Sequence, residues 1–345
     1  MGTDLERIIA DRIDRWCQFL DIGSRQRFIH LITCSEGVPD RPLPNPENKS
    51  ARIEWAWDMY RRRLDQVQWL DDDSIPYLDP YTGTEIFAEA FGCPVNHPVD
   101  NNPFALPIIH DARDIAHIKV PDIDIPPLAI LFEIADALRH RADDGVLMRL
   151  IDIQSPMDIA ALIWDKNSFY PALSETPEAV MVLASKVRQL LVAFLEEWFA
   201  RYGRDFIAHY PDYYFPRGIT LSEDEVGSVS AGMFEAYFLP ELNELSDHFG
   251  GIGMHCCANA RHQWDNFKKI KGLHMLNLNQ PEEVLHEAHG FFADHVAQIH
   301  DWSNAWDLSR GPQQFPEHAH IVLRSTVNTR DEAVERAELF WKSFR

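Results

Sequence analysis

The chain has 345 residues, enough for two ordinary domains or one α/β barrel with insertions, and its 46% hydrophobic and 25% charged content excludes extensive disorder. A net charge of −22 excludes nucleic acid and anionic lipid as natural partners, and the Arg61-Arg62-Arg63 run reads as a solvated helix face. Five scattered cysteines, an N-terminus without an apolar signal core, and the lack of any run of about 18 apolar residues predict a cytoplasmic protein with reduced thiols and no membrane span.

In chain order, Leu5, Ile8, Ile9, Ile13, Trp16, Phe19 and Leu20 recur at helical spacing and predict an N-terminal helical arm over 1–26. Eight short apolar runs follow, at 27–33, 75–80, 147–153, 205–210, 252–257, 273–279, 296–302 and 320–326. Helix-like stretches lie between several of them; the one at 177–200 and the closing one after Thr329 are each preceded by a Thr at the capping position. This alternation predicts an α/β fold, a (β/α)8 TIM barrel occupying 27–345 as a single domain, in preference to an open doubly wound sheet. The Pro- and Asn-rich segment 80–127 and the acidic segment 216–230 are too long for tight connections. They are predicted to be long βα loops, excursions over one barrel face, the second able to cover a site.

In such a barrel the carboxyl ends of the strands carry the site. Those ends hold Cys34 and Glu36, Asp79, Gln154, His209, Tyr210 and Asp212, His255, Cys257 and Asn259, Asn277 and Asn279, His300 and Asp301, and Arg324. Within I-G-M-H-C-C (252–257), strand alternation turns His255 and Cys257 to one side and Cys256 to the other, into the helix layer. An imidazole and a thiolate supply two of the three protein ligands that a catalytic zinc usually takes. A lone H-x-C is more often plain core packing.

M-F-E-A-Y-F-L-P-E-L-N-E-L (233–245), G-G-I-G-M-H-C-C-A-N (250–259) and G-L-H-M-L-N-L-N-Q (272–280) together resemble the uroporphyrinogen decarboxylase superfamily. Y-L-D-P-Y-T-G-T-E-I-F-A-E-A-F-G-C-P-V (77–95) extends the resemblance more loosely. It implies a (β/α)8 barrel and, through the zinc- and corrinoid-dependent branch, a metal-assisted methyl (one-carbon) transferase. Such an enzyme works between a corrinoid or small methyl donor and a thiol or related acceptor, with the corrinoid as a protein-borne co-substrate. His255 and Cys257 are then metal ligands for zinc; Asp79, Asp212, His209 and Tyr210 are catalytic; Gln154, Asn259, Asn277 and Arg324 bind a small-molecule substrate.

That branch carries a third zinc ligand, a cysteine, after its last strand, where this chain has L-R-S-T-V-N-T with Ser325 or Thr326 in its place. The ligand set is incomplete on this reading, and Asp212, His209, Glu85 or Cys93 are the candidates to complete it. Two alternatives stand beside it. One is a decarboxylase or lyase of the uroporphyrinogen decarboxylase type using Asp79, with Arg25, Arg27 and Arg41 for substrate carboxylates. The other is a non-catalytic binding partner of a corrinoid protein. Ten Trp, nine Tyr and 20 Phe predict exposed aromatics and a homodimer.

Overall fold

The computed structural model describes residues 2–300 and 304–345. Strands run in the order β1 Phe28–Cys34, β2 Tyr77–Leu78, β3 Val95–Asn96, β4 Phe104–Ala105, β5 Leu147–Arg149 and β6 Phe206–Ile207, then β7 Tyr214–Phe215, β8 Ile219–Ser222, β9 Ile252–Cys256, β10 Leu273–Leu278, β11 Ala297–Gln298 and β12 Ile321–Val327. They form a six-stranded sheet, β1-β12-β11-β10-β9-β8, parallel throughout, and a four-stranded sheet, β2-β5-β6-β7, whose last pair is antiparallel. All eight apolar runs contain a strand, although 296–302 extends into residues, Asp301 among them, that lie outside the described ones.

Among the described residues the two sheets do not close into one continuous ladder, so the expected α/β architecture of parallel strands is present without a closed (β/α)8 barrel. On one side they meet at the parallel bridge Gln154–Ser222, where Ser222 N–H donates to Ile153 O (2.9 Å) and Ser155 N–H to Ser222 O (2.8 Å). On the other side, side chains bond to the edge of β1. Asp73 Oδ2 accepts from His30 N–H (2.9 Å) and Asp72 Oδ2 from Ile32 N–H (3.0 Å). An exposed strand edge leaves donors unpaired, and here two carboxylates satisfy them. Arg12 holds Asp72 at 3.0 Å, with both side chains buried, and Arg15 and Arg345 hold Asp73.

The segment 216–230 is more than a loop: it contains β8, the edge strand beside β9. Sequence reading missed it because only I-T-L is apolar there and the acidic S-E-D-E follows at once. The excursion 80–127 carries its own short elements, the helix Ile86–Ala90 and the antiparallel hairpin β3–β4.

Helix Pro177–Tyr202 buries Val180, Leu183, Val187, Leu190, Leu191, Phe194 and Trp198, a stripe of period 3.6 that ends at Gly203 with φ +93°. Its Thr176 makes no side-chain cap, because that residue also closes the preceding helix, donating its N–H to Ala172 O. Thr329 does cap the closing helix, in a full capping box with Glu332. The N-terminal helix Gly2–Phe19 contributes Trp16 and Phe19, both sealed from solvent, to the main hydrophobic core. Among the aromatic side chains described, only Phe104 and Tyr210 are exposed. The rings expected on the surface went into the core, so they lend no support to a homodimer. Among the described residues no helix is long and apolar enough to cross a membrane.

Candidate metal centre

β9 carries His255 to its carboxyl end with the side chain buried, and Cys257 follows one residue past the strand, exposed. Cys256 is fully buried, its Sγ 3.8 Å from Ala258 O. The carboxylate that joins His255 and Cys257 is Asp224, from the turn after the neighbouring strand β8. Ligand atoms of the three residues all lie within 4.8 Å of one another. Cys257 donates twice to this carboxylate, through N–H to Oδ1 (2.6 Å) and Sγ–H to Oδ2 (2.9 Å).

Each group is held from behind. Asp158 accepts from the backbone N–H of Asp224 (2.8 Å) and of Glu225 (2.9 Å), which sets the S-E-D-E turn. Asn277, in β10 opposite His255, donates Nδ2–H to Ile299 O, so its Oδ1 is the atom that meets His255 Nδ1. That contact assigns the ring proton to Nδ1 and leaves Nε2 as the lone-pair nitrogen. Partial desolvation of the thiol, and then the neighbouring Asp224 carboxylate, push Cys257 up to about 12. It therefore stays protonated beside an acid until a cation compensates the charge.

A second cluster sits on the four-stranded sheet. Arg149, the last residue of β5, donates Nη1–H to Asp79 Oδ2 (2.8 Å) and Nη2–H to Asp212 Oδ1 and His209 O. Burial raises the Asp79 carboxyl, but Arg149, Arg63 and His209 outweigh it and hold Asp79 below the usual range. Burial alone would lower Arg149, but Asp212 and Asp79 keep it charged. Tyr77 donates its hydroxyl to Asp212 Oδ2. Tyr77, Asp212, Arg63 and Arg324 line a cavity of about 270 Å³ that runs along the β1–β2 side.

The loop 209–213 links the clusters. His209 Nε2 pairs with Asp152 (3.2 Å) while its buried Nδ1 has no partner. The Tyr210 ring stands edge-on to His255, centroids 4.8 Å apart. Tyr213 packs where a Cβ on Gly253 would meet its hydroxyl at 2.3 Å, so β9 needs glycine there.

Of the residues singled out in the sequence, His255 and Cys257 come together, and Asp79, Asp212 and His209 gather around Arg149. Asn277 spends both ends of its amide on His255 and Ile299; Gln154 leaves its buried Oε1 unpartnered; Asn259 is exposed in the turn after β9. The proposed completing ligands do not reach the triad. Asp212 is held by Arg149 and His209 by Asp152; Glu85 lies in a different cavity and Cys93 is buried beside Ile108. Ser325 is buried and bonded to His30 Nε2 at 2.9 Å, while the Thr326 N–H donates to Asn304. Sequence reading missed Asp224, Asn277's support of His255, Arg149 and Asp158. A lone arginine inside the apolar run L-M-R-L-I-D-I was the available signal for Arg149, and the acidic S-E-D-E for Asp224.

A family model described as uroporphyrinogen decarboxylase (URO-D) matches residues 81–308. Among solved structures, a methyltransferase from Methanosarcina mazei is similar over 95% of this chain and 96% of its own, with a TM-score of 0.62 at 13% identity. That likeness is one of fold. No curated protein matches the chain.

Proposed function

Because the chain belongs to the uroporphyrinogen decarboxylase family, we propose that it is a metal-assisted methyl (one-carbon) transferase, moving a methyl group from a corrinoid or other small donor to a thiol or related acceptor. The convergence of Asp224, His255 and Cys257 carries this reading. One imidazole nitrogen, one thiolate and one carboxylate suit zinc with a fourth position open. Bound there, the metal would lower the pKa of an acceptor thiol and hold it as the nucleophile.

The chain's own residues do the remaining work. Asn277 orients His255 so that Nε2 faces the site, and Asp158 fixes the turn that presents Asp224. His209, anchored through Nε2 on Asp152, takes up or returns a proton at Nδ1. Arg149 keeps Asp79 ionised and ties Asp212, which lines the cavity of about 270 Å³, to the same guanidinium. The same reading takes 27–345 as one barrel-like domain, opened at its two seams, and a corrinoid protein as the donor's carrier.

The alternatives lose support from specific contacts. Asp79 is ion-paired with Arg149, Arg27 donates to Pro316 O and Arg41 stacks on the Tyr81 ring, which weakens the decarboxylase reading at Asp79, Arg27 and Arg41. The missing strand-end cysteine favoured a non-catalytic protein, and Asp224 supplies the third donor instead. Cobalt(II) titration followed by sulfur-to-cobalt charge-transfer absorption tests the proposal, with methyl transfer from methylcobalamin to a thiol as the activity readout. Cys257→Ser should abolish the absorption and weaken binding at least about tenfold, with Cys256→Ser nearly unchanged. Equal loss in both variants, or no stoichiometric metal in zinc-replete protein, sinks the reading.

A further inference from the structure

Apart from both clusters, a cavity of about 400 Å³ lies beside the Pro- and Asn-rich excursion, within the size range of small-molecule sites. A basic and an acidic side chain, both buried and each with one unsatisfied polar atom, line it. Arg52, 5% exposed on the helix Lys49–Trp69, gives Nη2–H to the carbonyls of Pro80 and Tyr81 but leaves its Nε–H without an acceptor. Glu85, 4% exposed, leaves Oε2 without a donor; its carboxylate lies where a Cβ on Gly83 would meet Oε2 at 2.1 Å.

Burying a guanidinium and a carboxyl with atoms unsatisfied costs stability, and a ligand that completes both hydrogen-bond sets offsets that cost. Burial pushes Glu85 up to about 7, so near neutrality about half of it carries a proton to share with an anionic group. The rest of the lining is mostly acidic and apolar: Glu89 is half-buried with His97 nearby, Asp124 is exposed, Glu133 pairs with Lys49, and prolines with Ile130 and Leu131 supply apolar wall. An anion alone would meet Glu89 and Asp124 unfavourably, and a cation alone would leave Arg52 unpaired.

We propose that this cavity binds a small zwitterion of the amino acid type, its carboxylate against Arg52 and Glu85 and its ammonium toward Glu89 and Asp124. The site is independent of the metal centre and is tested on metal-free, full-length protein. Isothermal titration calorimetry compares L-leucine with 4-methylpentanoate and 3-methylbutylamine, which keep the apolar skeleton and one charge each. Leucine should saturate the protein, and each single-charge probe should bind at least about tenfold more weakly.

Arg52→Met should remove leucine binding. Because Arg52 also holds the Pro80 and Tyr81 carbonyls, the double variant Glu89→Gln, Asp124→Asn provides a test that leaves the buried pair intact. It should lose leucine affinity by about tenfold while binding 4-methylpentanoate at least as well as the parent. No saturable heat with leucine up to about 20 mM, equal binding of either single-charge probe, or unchanged leucine affinity in the double variant overturns the proposal, the first meaning that water alone satisfies Arg52 and Glu85.

Discussion

Asp79 and Glu85 leave the same strand within one short loop, and both are buried, yet their carboxyls are shifted in opposite directions. Asp79 has the Arg149 guanidinium at 2.8 Å, Arg63 at 3.9 Å and the Tyr81 N–H, and it is held below the ordinary range. Glu85 has no cation in contact, leaves one oxygen unsatisfied, and is pushed up to about 7. Desolvation acts on both, and a cation within hydrogen-bond reach decides which way the balance falls. The first region is electrostatically complete; the second waits for something. The Asp224–His255–Cys257 cluster resembles the second region, its thiol pushed up by desolvation and then by the Asp224 carboxylate, with no cation to oppose them.

The contrast is broken most severely by Arg149→Met, which puts Asp79 into the condition of Glu85. Leaving that carboxyl buried without its partner should cost about 3–5 kcal/mol, read as a fall in the urea midpoint at unchanged slope. A loss under about 1 kcal/mol would mean that Arg63 suffices alone.

A pH series sharpens the comparison from the other side. Between the ordinary value of 4.5 and about 7, folded Glu85 keeps a proton that the unfolded chain has released. Its contribution to stability is therefore complete below 4.5 and disappears as pH rises through 7, for a total of about 3 kcal/mol. Glu85→Gln should flatten that part of the stability profile, and identical slopes in parent and variant would show that the acid is not shifted.

The smallest expected effect concerns the metal cluster. Asn277→Ala frees the His255 ring without touching a ligand atom, and metal affinity should fall about 10- to 100-fold, roughly 1.4–2.7 kcal/mol, in a competition titration with a chromophoric chelator. An unchanged affinity would mean that Asn277 serves only Ile299 O.

Local pattern was legible in the chain. Apolar runs marked where strands form, the 3.6-residue stripe marked the helix Pro177–Tyr202, and alternation in I-G-M-H-C-C separated buried Cys256 from Cys257 beside His255. These depend on residues a few positions apart, whose relation is set by backbone geometry alone. The strand β8 was lost because its apolar run is short, and the third donor was lost with it. Asp224 reaches Cys257 only because β8 pairs with β9 in register, and Asn277 meets His255 only because β10 lies on the other side of that strand. Arg149 binds Asp79 and Asp212 because β5 lies between β2 and β6, and Asp72 and Asp73 hold the edge of β1 where the ladder stops. A single chain records which side chains are available and which way they alternate. Which of them meet across strands is decided by strand order and register, because those contacts join residues far apart in sequence, and only the packed sheets bring them within hydrogen-bond reach.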